Sequence, residues 1–171
     1  DMALVVRNLP VQLATRQPWP DLVAEIDANA LADAVARYTQ AATRHAPADA
    51  LRLVDKAPLN FFHLGLVALM FPHARVVWCR RDPRDIAVSI YGENFSLEEK
   101  MATRLDGIGH YINMQNTLMR HWQSVLPLPI MELPYEALVG DIEHQAKDLI
   151  SFIGLPWDDA CLDFHQSDRG V

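Results

Sequence analysis

The residues best suited to chemistry lie together in the segment Cys79–Ser89, where an apolar stretch gives way to three arginines and two aspartates. A guanidinium group can hold phosphate oxygens with two hydrogen bonds, and the start of a following helix adds free backbone N–H groups and a positive dipole end. In open α/β sheets, ligands bind at the carboxyl ends of the strands. The segment therefore predicts a phosphate-binding pocket.

The helix predicted after Asp82 places one hydroxyl near this pocket. At about 100° per residue, one arc of that helix is spanned by Ile86, Ala87, Ile90 and Tyr91, whereas Asp85 and Ser89 fall on the opposite side. We therefore expect the hydroxyl of Ser89 to avoid the core. An ordinary alternative stays open, in which Ser89 is an exposed helix residue and the arginines are solvated charges that pair with the aspartates. Those arginines are Arg80, Arg81 and Arg84.

Lys56 is the second candidate. It follows a predicted strand, Leu51–Val54, so it should lie at the same sheet edge as Arg81 if the two strands are parallel neighbours. A lysine there neutralises charge on a bridging oxygen. The alternative is a surface lysine that is paired with Asp55 and keeps its ammonium group in water.

The elements that must position these residues alternate between strand and helix. Strands are predicted over Leu51–Val54, Arg75–Cys79 and Pro129–Leu133, and the second of these has the composition of a strand buried on both faces. The alternation predicts an α/β domain with a parallel sheet. Helices are predicted within 1–20, over 21–45 with Asp21 as N-cap, over 59–71, over 82–94 with Asp82 as N-cap and Pro83 at its first position, over 97–126 with a break at Gly107 and Gly109 left open, over 135–138, over 141–153 ending at Gly154, and over 158–165.

The composition limits the kinds of partner that the protein can bind. The chain has 171 residues and a net charge of -7, and its pI is about 5.4. A broad electrostatic surface for nucleic acid or anionic membrane is therefore not expected, and any bound anion must be held locally. No apolar run approaches the roughly 20 residues needed to cross a bilayer. The length is that of one domain.

The cysteines and the chain ends add two expectations. Cys79 and Cys161 are far apart, and no Cys or His has the spacing of zinc ligands, so we predict neither a disulfide framework nor a metal site. The same cysteine usage predicts a reducing, cytoplasmic location. The chain begins with Asp1 and stops at Val171 without a finishing element, so we interpret it as a piece of a longer protein.

Several motifs resemble those of the sulfotransferases in both order and spacing. The resemblance covers nearly the whole chain, and the most similar subgroup is the bacterial type that is often fused to tetratricopeptide repeats and is similar to the tyrosylprotein sulfotransferases. The matching segments are Val54–Leu66, Phe71–Arg75, Arg80–Asp85, His121-Trp122, Leu133–Val139, Phe152–Trp157 and Cys161-Leu162.

This resemblance implies a fold, a reaction and site residues. The fold is a three-layer parallel sheet flanked by helices, similar to P-loop nucleoside triphosphate hydrolases and incomplete in this chain. The implied reaction moves a sulfuryl group from 3′-phosphoadenosine 5′-phosphosulfate (PAPS) to a hydroxyl or amine acceptor, and needs no metal. It places Arg81 and Ser89 on the 3′-phosphate and Tyr135 on the nucleotide. Lys56 matches the lysine that stabilises charge on the leaving phosphate oxygen.

The chain also departs from that family. The glycine-rich loop that cradles the 5′-phosphosulfate is missing from the sequence, and so is the acidic general base of the tyrosylprotein relatives, so we expect 1–171 to be a partial domain that is inactive alone. Glu93 stands where those relatives place an arginine. Because a missing first strand would leave an apolar edge, we expect the chain to aggregate or to form a homodimer through that edge.

Two other functions are alternatives to a sulfotransferase. One is a non-catalytic, degenerate relative used for protein interaction, in which Arg81 and Lys56 are relics. The other is a nucleotide kinase, and the absence of a glycine-rich Lys-Ser/Thr loop argues against it.

Overall fold

A computed structural model describes residues 2–44, 46–92 and 104–163. The chain divides into two compact units. The first comprises Asp1–Ala74 and Thr117–Leu128, and the second comprises Arg75–Asn116 and Pro129–Val171. Glu93 and the end of the helix predicted over 158–165 lie outside the described residues.

Seven α-helices and two strands are assigned in this part of the chain. The helices are α1 Met2–Gln12, α2 Ala28–Thr43, α3 Leu64–Met70, α4 Pro83–Gly92, α5 Leu105–Val125, α6 Tyr135–Gly140 and α7 Ile142–Ile153, and the strands are β1 Val76–Arg80 and β2 Ile130–Pro134. Short 3₁₀ helices cover Asp21–Glu25, Asn60–His63 and Asp159–Cys161.

In the first unit, helix starts differ from the prediction. The segment after Asp21 forms a 3₁₀ helix, and α2 begins later, where the side chain of Asp27 accepts a hydrogen bond from the backbone N–H of Ala30 at 2.8 Å. Both aspartates follow the N-cap preference, but only Asp27 makes the capping bond. The helix predicted over 59–71 is likewise a 3₁₀ turn followed by α3.

The core of the first unit joins α1, α2 and α3. Its buried members are Met2, Leu9, Leu22, Ala34, Leu66 and Met70. Trp122 adds a specific tie, because its indole N–H donates to the carbonyl oxygen of Phe61 at 2.7 Å. Phe61 itself is buried.

The prediction of a strand over Leu51–Val54 is wrong. This segment has no strand pairing, and Leu51 and Val54 are 69% and 87% exposed. A run of apolar residues becomes a strand only when another strand accepts its backbone hydrogen bonds, and within the described ranges none does so. The sheet edge on which Lys56 was expected is therefore not formed by this segment.

The second unit contains the parallel sheet, which confirms a mixed α/β architecture with a small sheet. β1 and β2 run parallel with Val76 opposite Ile130 and Arg80 opposite Pro134. The prediction that β1 is buried on both faces is wrong for most of the strand, because Trp78 is buried but Cys79 is exposed. A two-stranded sheet leaves much of each strand uncovered.

Helix ends in the second unit follow local rules. Asp141 caps α7 by accepting from the backbone N–H of His144, and Gly154 ends it in the left-handed conformation, with φ of 73°. Helix α5 runs on through Gly107 and Gly109, so the possible break there is not observed. Cys79 and Cys161 are free thiols.

Candidate anion site at the strand ends

The register of the sheet places two predicted site residues next to each other. Because Arg80 lies opposite Pro134, the residues that follow, Arg81 and Tyr135, leave the sheet at the same level. The guanidinium carbon of Arg81 lies 5.0 Å from the centroid of the Tyr135 ring. This is a cation–π contact, which orients the guanidinium while leaving its N–H groups available to an acceptor. The structure therefore brings Arg81 and Tyr135 together.

Helix α4 begins at Pro83, two residues after Arg81, as predicted. The carboxylate of Asp82 accepts from the backbone N–H of Arg84 at 2.8 Å, and Pro83 occupies the first helical position. The Arg84 guanidinium donates to the same carboxylate at 3.0 and 2.6 Å. These hydrogen bonds lower the pKa of Asp82 to about 2. Arg84 is therefore engaged with the helix cap.

Glu136 is a residue of the site that the sequence analysis missed. Its carboxylate accepts from the backbone N–H of Asp82 at 2.8 Å, so the turn after β1 is tied to the first turn of α6. That hydrogen bond lowers the pKa of Glu136. Its position two residues after β2, level with Asp82 two residues after β1, was a usable signal.

The other two arginines are also paired. Arg80 donates to Glu132 at 2.6 Å, with its guanidinium carbon 4.9 Å from the Trp78 ring, and Arg81 donates to Asp85 at 3.3 Å. The alternative in which the arginines pair with aspartates is thus correct for Arg81 and Arg84, whereas Arg80 pairs with Glu132 of β2. Arg81 has the longest and weakest of these bonds.

Ser89 is exposed on α4, as predicted. It lies four residues after Asp85, so the two share one face of the helix. Among the residues that the structure describes, no hydrogen bond joins Ser89 to Arg81. Asp85, which pairs with Arg81, lies four residues before Ser89 on the same helix.

Lys56 lies in the first unit, whereas Arg81, Ser89 and Tyr135 lie in the second. Lys56 is exposed, and no carboxylate of the described ranges forms an ion pair with it. The alternative pairing with Asp55 is not observed, because Asp55 accepts from the Tyr38 hydroxyl at 2.5 Å.

The Tyr38–Asp55 hydrogen bond changes the titration of both groups. Burial raises the pKa of Asp55, but hydrogen bonds from Tyr38 and Asn60 outweigh burial and hold the pKa below its ordinary value. Burial, together with the same hydrogen bond, raises the pKa of Tyr38. The backbone just before Lys56 is thus anchored to α2.

The described part of the chain contains neither a candidate metal site nor a helix that could span a membrane. No group of three or more His, Cys, Asp or Glu side chains within 2–44, 46–92 and 104–163 is placed to hold a metal ion. None of the helices in those ranges combines the length and the apolar character needed to cross a lipid bilayer.

Comparison with known proteins gives two matches. A curated protein of Aquifex aeolicus (strain VF5), named only as an uncharacterized protein, is 34% identical over 174 residues, which cover 98% of this chain and 23% of the relative. The chain therefore spans less than a quarter of that protein's length. The profile of the sulfotransferase family matches residues 7–159, which include β1, β2 and all four predicted site residues. The chain belongs to the sulfotransferase family.

Proposed function

We propose that the protein transfers a sulfuryl group from PAPS to a hydroxyl or amine acceptor. Membership of the sulfotransferase family supports the reaction class. The observation that carries the nucleotide assignment is the contact of Arg81 with Tyr135 where two parallel strands end, directly before a helix. A cation, an aromatic ring and a helix start at one sheet edge suit an aromatic nucleotide that carries phosphate.

In this proposal, Arg81 and Ser89 bind the 3′-phosphate of the donor and Tyr135 contacts the nucleotide. Lys56 is the catalytic cation, which stabilises the negative charge that develops on the phosphate oxygen as its bond to sulfur breaks. The acceptor oxygen or nitrogen bonds to sulfur and gives its proton to a general base. Such a transfer depends on positioning and charge stabilisation, as phosphoryl transfer does. The exposed ammonium of Lys56, with no carboxylate of the described ranges to neutralise it, suits this role.

We further propose that residues 1–171 are the central and C-terminal portion of a sulfotransferase domain. The sequence contains the residues assigned to the 3′-phosphate but no glycine-rich loop for the 5′-phosphosulfate. The complete reaction would then need a second group of residues to hold that end of the donor. The extra length of the Aquifex aeolicus relative is consistent with a larger whole protein.

The nucleotide assignment is tested by isothermal titration of the chain with adenosine 3′,5′-bisphosphate. We expect Arg81→Ala to weaken binding by more than about 1.5 kcal/mol, the low end for a hydrogen bond to a charged group. Arg37→Ala is the matched control, because Arg37 also forms an exposed ion pair four residues apart, with Asp33. Equal affinity of wild type and Arg81→Ala would contradict the assignment.

The reaction is tested by sulfate transfer from PAPS to a panel of hydroxyl and amine acceptors, using the full-length product of the parent gene. Transfer to at least one acceptor is expected, and Lys56→Ala should lower the rate. The second candidate function is a non-catalytic relative, which is favoured by the carboxylate partners of all three arginines. A parent gene that encodes no glycine-rich loop or acidic base, together with no transfer, would support it.

A further inference from the structure

Asp85 lies between the two residues assigned to the 3′-phosphate. It is four positions after Arg81 and four positions before Ser89. On α4 this spacing puts Asp85 and Ser89 on one face, separated by about 6 Å along the helix axis. Both side chains are exposed. An anion that contacts Arg81 and Ser89 together must therefore lie where the Asp85 carboxylate is close by.

The Asp85 carboxylate already forms an ion pair with Arg81. Nη2 of Arg81 donates to Oδ2 of Asp85 at 3.3 Å, and the side chains are 44% and 55% exposed. Arg80 and Arg84 form ion pairs of 2.6 Å with their carboxylates. Since a long, exposed ion pair is weak, the Arg81–Asp85 pair is the one that an incoming anion can open at least cost.

We propose that Asp85 is an affinity-setting residue: its carboxylate competes with the nucleotide's 3′-phosphate for Arg81 and returns to Arg81 when the nucleotide leaves. This inference rests on the proposed function, because it takes the 3′-phosphate as the ligand of Arg81 and Ser89. The cation–π contact with Tyr135 keeps the guanidinium in place during the exchange, so that one hydrogen-bond acceptor replaces another on the same cation.

The competition weakens binding in two ways. The phosphate must first break the Arg81–Asp85 pair, and once bound it carries a charge of about -1.5 to -2 beside a carboxylate that remains on α4. Donor and desulfated product share the 3′-phosphate, so the carboxylate weakens both. Its expected benefit is the release of the product, which an uncontested arginine would hold longer.

The experiment is isothermal titration of the 171-residue chain with adenosine 3′,5′-bisphosphate, comparing wild type with Asp85→Asn. Loss of the competing pair and of the repulsion should lower Kd roughly three- to tenfold. Adenosine 5′-monophosphate, which lacks the 3′-phosphate, should bind the two proteins equally. Dissociation of a fluorescent bisphosphate analogue, followed by stopped flow, should be slower from Asp85→Asn.

Glu143→Gln is the matched control. Glu143 lies in the first turn of α7 and forms an exposed ion pair with Lys147, four residues on. The control therefore changes net charge, a helix start and an ion pair in the same way as Asp85→Asn, but on α7 instead of α4. We expect it to leave Kd unchanged, and circular dichroism should show that both variants are folded.

The outcomes separate the inference from the proposed function. If Arg81→Ala weakens binding but Asp85→Asn leaves Kd unchanged or raises it, the competition is refuted and the nucleotide assignment stands. If Arg81→Ala has no effect, or wild type binds no bisphosphate, both fail. A matching fall in Kd for Glu143→Gln would also refute the role of Asp85, since net charge alone would then explain the gain.

Discussion

Removing the Tyr38 hydroxyl should cost stability in a way that depends on pH. Tyr38→Phe keeps the ring, which packs on Phe71 with centroids 5.3 Å apart, and removes only the donor to Asp55. A hydrogen bond to a charged group contributes about 1.5 to 3 kcal/mol, and since Asp55 is exposed to water we take the low end, about 1.5 kcal/mol at pH 7.

The sign of the pH dependence follows from the two pKa shifts. The pKa of Asp55 is lowered in the folded protein, so its contribution is complete above its unfolded pKa of about 3.9 and is lost as pH falls through the lower folded pKa. The pKa of Tyr38 is raised, so its contribution is complete below about 10 and is lost as pH rises through the folded pKa. The cost of Tyr38→Phe should therefore be largest between these limits.

The assay is urea denaturation of wild type, Tyr38→Phe, Asp55→Asn and the double variant at pH 7 and pH 3. The double-mutant cycle should give a coupling of about 1 kcal/mol or more at pH 7 and less at pH 3. Tyr91→Phe is the control, because Tyr91 is 60% exposed and should change stability by less than about 0.5 kcal/mol. A cost of Tyr38→Phe that is equal at both pH values, or unaffected by Asp55→Asn, would refute the reasoning.

Three further results are expected. Trp122→Phe leaves the Phe61 carbonyl without its indole donor and should lower the free energy of unfolding by about 1 to 3 kcal/mol, whereas an unchanged urea midpoint would show that the bond contributes nothing. Gly154→Ala forces a Cβ into the left-handed conformation and should lower Tm, with a cost of about 1 to 2 kcal/mol; a higher Tm would contradict this. Light scattering should show dimers or larger species, because exposed apolar side chains lie in the segment before Lys56, and a monodisperse monomer would count against association. Those side chains are Leu51, Leu53 and Val54.

The parts of the fold that depend on neighbouring residues could be predicted from sequence. The caps at Asp82, Asp141 and Gly154 are set within a few positions, and the two strands have apolar, strand-favouring sequences. The strand over Leu51–Val54 could not be judged in this way, because it depends on a partner strand that its own residues do not specify. Asp21 and Asp27 both have the residue type of an N-cap, so residue type alone does not show that Asp27 makes the capping bond.

The candidate site was partly within reach of the sequence. Once the strands pair in parallel with Arg80 opposite Pro134, Arg81 and Tyr135 leave the sheet side by side. The pairing of Arg81 with Asp85 and of Arg84 with Asp82 was left open by the sequence, because either aspartate is near enough in the chain to reach either arginine. Side-chain rotamers and the helix cap decide between them, and residue order specifies neither.

The parallel pairing of β1 with β2 also has a consequence for how this chain folds. Residues 81–129 separate the two strands, so their hydrogen bonds form only after a long loop has closed, and the entropy cost of closure rises with loop length. Two short strands cannot offset that cost alone, so we expect the sheet to assemble late, after α4 and α5 have shortened the intervening chain. The meeting of Arg81 with Tyr135 would then be among the last contacts that a newly made chain acquires.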